Sequence, residues 1–434
     1  MKTKLYAKFW CALVVFSLMG QVAWVVENMY FNVFIYKMFN ASAADISLMV
    51  AASAVAATLT TVFMGALSDK LGKRKVFICG GYIAWGISIF SFVLLKKDII
   101  GSVFPTVASA ASMGITLTII LDCVMTFFGS TANDAAFNAW LTDSTDNTNR
   151  GSAEGVNSMM PLVAILVVFG GFMFFDLEKS SSWSLIFTII GICTLLVGVL
   201  GLFIIKDPHI TPSETGFFNN VFYGFRVSTI KENVVLYVSL LLFIIFNISI
   251  QIFMPYLILY YEVSLKMSNY VLIMAPAIIL ASIATAFWGR FYDKKGFMTS
   301  SVCSVACLCI GYVLLWLFRS TMLVFVGSLL MMCGYLSSMA VFGARIRDLT
   351  PLGKSGMLQG VRIFSQVLIP GVVGPFIGKS VLANADTVLN SDGTYSFVPN
   401  EKIFVAALAV AALVLVILVF IKDKSIKNKV VNYE

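Results

Sequence analysis

Long apolar runs alternate with short polar segments along almost the whole chain. Twelve such runs stand out: 9–37, 45–67, 76–95, 115–141, 155–176, 183–205, 233–261, 268–289, 298–318, 321–346, 357–379 and 402–421. Each supplies about 20 or more residues, enough to cross a bilayer core as an α-helix rising about 1.5 Å per residue. None carries the alternation of a membrane barrel strand, and helices satisfy their backbone hydrogen bonds within lipid. The first run is too long for the core of a cleaved leader, and polar residues interrupt it, so it reads as a span.

Composition removes the other classes. The chain has 434 residues, 59% apolar and 12% charged, with a mean hydropathy of +0.92. Soluble domains carry about 25% charged residues, so a soluble, disordered, collagen-like or coiled-coil protein is excluded. All eight cysteines fall in apolar runs, which predicts no structural disulfide. Cys303, Cys307 and Cys309 have no His or acid beside them and do not read as a metal site, and no cofactor is implied.

The cations set the expected orientation. If both termini lie inside, the inner segments hold 21 Lys and Arg and the outer segments 8, with Arg362 inside a span. This asymmetry follows the positive-inside rule. The net charge of +8 is then a topological signal and no nucleic-acid partner is expected. The lean loops suggest a bacterial inner membrane, crossed many times, with both termini cytoplasmic.

An internal repeat divides the chain. Gly65-Ala-Leu-Ser-Asp69-Lys70-Leu-Gly72 recurs as Gly289-Arg-Phe-Tyr-Asp293-Lys294-Lys-Gly296, an offset of 224. The same offset aligns Glu27–Tyr36 with Gln251–Tyr260, while Asp134–Asp143 aligns with Met339–Asp348 at an offset of 205. The difference of 19 residues is assigned to an outer loop over 96–114. The repeat gives two six-helix halves, 1–205 and 233–421, joined by a cytoplasmic linker, 206–232, and followed by a tail, 422–434. Parallel repeats with a site between them are an alternating-access architecture.

The segment Gly65-Ala-Leu-Ser-Asp69-Lys-Leu-Gly72-Lys73-Arg74-Lys75 resembles the signature between spans 2 and 3 of the major facilitator superfamily, and 289–296 resembles its second copy. The resemblance implies an all-α membrane protein of twelve helices in two pseudo-symmetric bundles, a secondary transporter, monomeric by family habit. It also implies an inner latch at Asp69, Lys73, Arg74 and Asp293. Asn133-Asp134 to Arg150-Gly151, and Asp348-Leu-Thr-Pro351 to Gln359-Gly360-Val-Arg362, are similar to the glycoside–pentoside–hexuronide:cation symporter branch. That likeness implies a sugar-binding acid in span 4, here Asp134, although Ala135 stands where the branch often has Pro. Asp143 and Arg150, with Asp146, read as an inner-loop salt-bridge cluster. Arg362 either pairs with an inner-loop acid or meets an anionic substrate.

Polar groups inside spans are costly unless they face a cavity or a partner. Span 1 offers Gln21, Trp24, Asn28 and Asn32 at helical spacing, with Glu27 beside that face. A carboxylate accepts from sugar hydroxyls, amides donate and accept, and an indole covers an apolar sugar face. Span 4 offers Asp122, Asp134 and Asn138, and span 7 offers Asn247 and Gln251, with Pro255 as a hinge. Substrate is expected at Gln21, Trp24, Glu27, Asn28, Asp134, Asn138, Asn247 and Gln251, and cation coupling at Glu27, Asp134 and Asp122.

Span 2 has no acid between Asp45 and Asp69, only Ser53, Thr58, Thr60 and Thr61 as polar groups. A sodium site built on span 2 would lack carboxylates, so a proton is preferred to sodium. With one histidine, His209, no histidine-based active site can form in the membrane, and Gly374–Ser380 is one residue short of a phosphate loop. The expectation is a cation-coupled symporter of sugars or glycosides. The alternative is a proton-coupled antiporter exporting drugs or metabolites.

Overall fold

The computed structural model describes residues 5–103, 106–145, 149–207, 222–267, 269–351, 355–390 and 393–420. Among them, eleven helices are long and apolar enough to cross a membrane. The longest, Val271–Leu317, is broken at Gly296 (φ 75°, ψ 177°) and makes two spans. The protein therefore has twelve spans. They are Ala7–Phe39, Ala43–Leu71, Lys75–Leu94, Ala110–Asp143, Arg150–Phe172, Ser180–Ile204, Val234–Ser264, the two parts of Val271–Leu317, Thr321–Leu349, 355–381 and Lys402–Phe420. Spans 1–6 and 7–12 form the two six-helix bundles.

Local chemistry sets the span ends. Span 1 stops at Asn40, whose left-handed backbone (φ 55°) turns the chain back on Ile35 and Tyr36. Span 2 opens on a reciprocal cap: the Asp45 amide donates to Ser42 Oγ at 3.2 Å and the Ser42 amide to the Asp45 carboxylate at 2.8 Å. It ends at Gly72, where φ is 61°. Span 3 is capped from a distance, because Asp207 accepts from the Arg74 and Lys75 amides at 2.9 and 2.7 Å.

Residues 96–114 are not simply the loop expected from the repeat: Lys97–Val103 forms a short helix, and Val107–Gly114 belongs to the helix of span 4. The small side chains read as loop material let this helix pack closely, with Gly114 against the Phe39 ring. A two-stranded hairpin, Thr387–Leu389 with Tyr395–Phe397, precedes span 12 and was not foreseen.

We call the end of the molecule bearing Lys70 to Lys75 the basic face and the opposite end the far face. The latch at the basic face centres on Arg74 alone. Its buried guanidinium meets Asp69 at 2.5 Å and Asp143 at 2.9 Å and also donates to Ser68. Lys73 is exposed, and neither it nor Asp293 forms an ion pair among the described residues. In the second half Tyr292 takes the place expected of Asp293, donating to Asp348 at 2.7 Å. Asp146 and the Arg150 side chain, expected partners of Asp143, lie outside the described residues.

The bundles meet at the far face. Tyr30 and Tyr270 share a hydroxyl contact of 3.1 Å. Tyr256 donates to the Ala43 carbonyl at 3.0 Å, and Tyr36 to the Phe397 carbonyl at 2.7 Å. At mid-depth, Gly371 of span 11 lies against Ala54 of span 2, an approach that a larger residue would block. The described hydrogen bonds between the bundles are therefore concentrated at the far face.

Arg74→Ala removes the shared partner of two carboxylates and a hydroxyl. It should cost about 2–3 kcal/mol, lowering the melting temperature in detergent by several degrees. Lys73→Ala should leave that temperature unchanged.

Candidate functional site

The site is built where spans 1 and 4 leave regular α-geometry. Val26–Tyr30 and Ser130–Phe137 are π-helical. A π-turn widens the helix and rotates the residues beyond it out of α-helical phase, and such turns gather at functional sites. It corrects the face drawn for span 1. Glu27 is turned into the bundle at 7% exposure, and Asn28 is exposed with its amide donating to the Trp24 carbonyl at 2.8 Å. Asn32 is fully buried and donates to the Asn28 carbonyl at 3.0 Å.

Two polar groupings result. In the first, Trp24 and Asp134 are half-buried neighbours. Ser130 donates to the Asp134 carboxylate at 3.0 Å, and Asn138, exposed, donates to the Asp134 carbonyl at 3.1 Å. The Trp24 indole stands 5.1 Å from that of Trp85, and the absence of a side chain at Gly129 makes room for both rings. Asn28 and Asn138 are thus exposed, each one turn along its helix from Trp24 and Asp134, with Asn138 towards the basic end of span 4. Gln21 is half-buried on the same helix, nearer the basic face.

In the second grouping, Glu27 Oε1 accepts from Ser53 of span 2 at 2.7 Å and from Thr126 of span 4 at 2.9 Å. The two hydroxyl oxygens are 2.9 Å apart. Asp122, 2% exposed, faces Ser53 and Glu27 from span 4. Neither Ser53 nor Thr126 was singled out from the sequence as a site residue. The signal was present in the ladder Asp122, Thr126, Ser130, Asp134 and Asn138, a polar group at every fourth position of span 4.

The second half contributes less than expected. Asn247 is buried and spends its amide on the Phe243 carbonyl of its own helix at 2.8 Å. Gln251 is half-buried, its Cβ against Gly374 of span 11. Pro255 does interrupt span 7, in a tight 3₁₀ turn over Met254–Tyr256. Arg362 is half-buried at the basic end of span 11.

The far face carries a lock that the sequence did not reveal. Lys37 of span 1, its side chain 3% exposed, pairs with Glu178 of its own bundle at 2.9 Å and with Glu262 of span 7. A cavity of about 160 Å³ lies beside it, bounded by Glu178, Glu262, Asn269 and Tyr270.

Residues 9–375 match the Major Facilitator Superfamily. The chain belongs to the major facilitator superfamily. Its twelve-span fold is similar to that of a variant of the nucleoside transporter NupG (TM-score 0.69, 11% identity, 94% of this chain and 98% of that one). It is similar also to a bacterial homologue of the human lysosomal transporter Spinster, inward-facing and occupied (TM-score 0.69, 14% identity, 96% and 97%). A third likeness is to the xylose transporter XylE from E. coli in a partially occluded inward-open conformation (TM-score 0.67, 15% identity, 95% and 97%). No curated protein matches this chain in sequence. Membership makes the protein a multi-pass membrane transporter.

The exposed pattern is directly testable. In a background with the exposed Cys11, Cys193 and Cys303 replaced by Ser, Asn28→Cys and Asn138→Cys should react with a membrane-impermeant maleimide from the basic face. Asn32→Cys, fully buried, should stay unlabelled.

Proposed function

We propose that this transporter is a cation-coupled symporter of a polyhydroxylated solute, a sugar or glycoside, with the proton as the preferred coupling ion. The observation that carries the reading is the Trp24–Asp134 pair with Asn28 and Asn138 exposed beside it. An indole face for the apolar side of a sugar ring, a carboxylate for its hydroxyls and two amides at the rim form a set suited to such a ligand. An apolar drug would leave these groups unpaired at a cost.

Coupling is assigned to the buried acids Glu27 and Asp122, while Asp134, also expected from the sequence to couple, is kept here for the solute. Cation and solute would reach their groups from the basic face in one state of the cycle, and the excess of Lys and Arg on that side favours its being the cytoplasmic one. Residues 1–205 and 233–421 would then rock about the site, with 206–232 as the tether. Opening the far face requires Lys37 to leave Glu262, while Glu178 retains it on its own bundle. In this cycle the Lys37–Glu262 pair is the outer gate, while the Arg74 cluster, whose partners Ser68, Asp69 and Asp143 all lie in the first bundle, braces the inner end of that bundle.

The test is uptake into proteoliposomes of labelled mono- and disaccharides and hexuronates under an imposed pH or sodium gradient. Saturable sugar uptake driven by the pH gradient is expected, and Asp134→Asn should reduce it at least about a hundredfold. Export of apolar drugs without sugar uptake would overturn the reading in favour of an antiporter. Lys37→Met should preserve folding yet raise maleimide labelling of a cysteine placed at Tyr30, because the far face opens more often. Unchanged labelling would remove the gate assignment.

A further inference from the structure

The cluster at Glu27 has too few protons for its oxygens. Its two carboxylates present four oxygen atoms, and the two hydroxyls facing them, Ser53 and Thr126, can each donate once. Both hydroxyls reach Glu27 Oε1, at 2.7 and 2.9 Å. Glu27 Oε2 and Asp122 Oδ1 are left buried with no hydrogen-bond partner. These side chains are 93 and 98% buried respectively, from exposures of 7 and 2%. The charged or titratable groups facing the cluster from span 4 are Asp134 and Cys123, and none is cationic. Two carboxylates held this way repel each other and lack hydration, and a single positive charge between them would meet both deficits.

We propose that Glu27, Ser53, Asp122 and Thr126 form one binding site for a single small monovalent cation, separate from the solute-facing Asp134, with the Ser53 and Thr126 oxygens as ligands. The proposal rests on the cation-coupling reading above and deepens it. It assigns the cation to the junction of spans 1, 2 and 4, and leaves Asp134 to the solute. Span 2 takes part although it has no acid there: Ser53 brings a neutral oxygen to carboxylates supplied by its neighbours. The shared chemistry is one positive charge among oxygens, which a proton or a sodium ion can provide.

A consequence is that the two functions share a helix while remaining distinct. Asp122 and Thr126 precede Asp134 on span 4, and Ser130 lies between the groupings. Glu27 similarly occupies the π-turn next to Trp24 and Asn28. A change at the cation cluster therefore reaches the solute groups through two short stretches of irregular helix.

The experiment uses the full chain in lipid nanodiscs without solute, followed by thermal unfolding and by intrinsic tryptophan fluorescence, to which the Trp24–Trp85 pair contributes. One arm replaces choline chloride by sodium chloride at fixed pH, and the other lowers pH without sodium. A saturable one-site response is expected in one arm: a sodium response at fixed pH identifies sodium, and a pH response alone identifies the proton. Ser53→Ala and Thr126→Val should weaken it about tenfold. Asp122→Asn should abolish it, Ser53→Thr should restore it, and Asp134→Asn should retain it. A wild-type protein without either response, an unchanged response in Ser53→Ala and Asp122→Asn, or its equal loss in Asp134→Asn would overturn the proposal. The symport reading is judged separately by uptake: a cation response without coupled uptake keeps the site and sinks symport. Coupled uptake that is indifferent to Ser53 and Asp122 sinks the site alone.

Discussion

Lipid offers a polar side chain neither water nor counter-charge, and most of the informative features here arise from that restriction. A chain with 12% charged residues carries few groups that need company, so where they assemble is where chemistry can occur. Glu27, Asp122 and Asp134 come together because spans 1, 2 and 4 pack face to face. Ser53, Thr126 and Ser130 are the hydroxyls that make their burial tolerable. The same restriction makes Lys37 and Arg74 stand out, each almost inaccessible and each held by two carboxylates.

The contacts between the bundles differ in kind with depth. The far face is held by buried tyrosine hydroxyls, a charged pair on the nearly inaccessible Lys37, and the hairpin before span 12. At mid-depth, small residues let spans 2 and 11 touch, and Gly374 lets span 11 touch span 7. Single hydrogen bonds of this kind contribute about 1 kcal/mol net each and can be exchanged one by one. The close contacts between small residues deeper in the molecule suit a pivot, because they tolerate rotation with little loss of packing.

Much of this was legible beforehand. The spans were readable because each needs about 20 apolar residues, and the repeat at offsets 224 and 205 was written in Asp69, Asp293, Asp143 and Asp348. Glu27 and Asp134 were identifiable as buried acids. Their neighbours were not, because the facing of Ser53 depends on how spans 2 and 1 rotate against each other, and a π-turn changes rotation without leaving a residue signature. The span 1 stripe failed for that reason: regular spacing put Asn28 and Asn32 on one face, and Val26–Tyr30 separated an exposed amide from a buried one. Asp207 was hidden because its partners are backbone amides 132 and 133 positions away. Lys37 was counted as a topological charge, since nothing local distinguishes a cation awaiting two distant acids from one in water.

The hairpin Thr387–Leu389 with Tyr395–Phe397 has a further implication. It belongs to the second bundle by connectivity, yet Phe397 receives the Tyr36 hydroxyl, and Thr394 receives the Asn40 amide at 2.6 Å, both from the end of span 1. It works as a clasp that one bundle lays over the other. In a cycle that parts the bundles at this end the clasp is undone and remade, so a molecule that grips clasp and span end together would arrest the carrier in a single posture without ever entering its transport path.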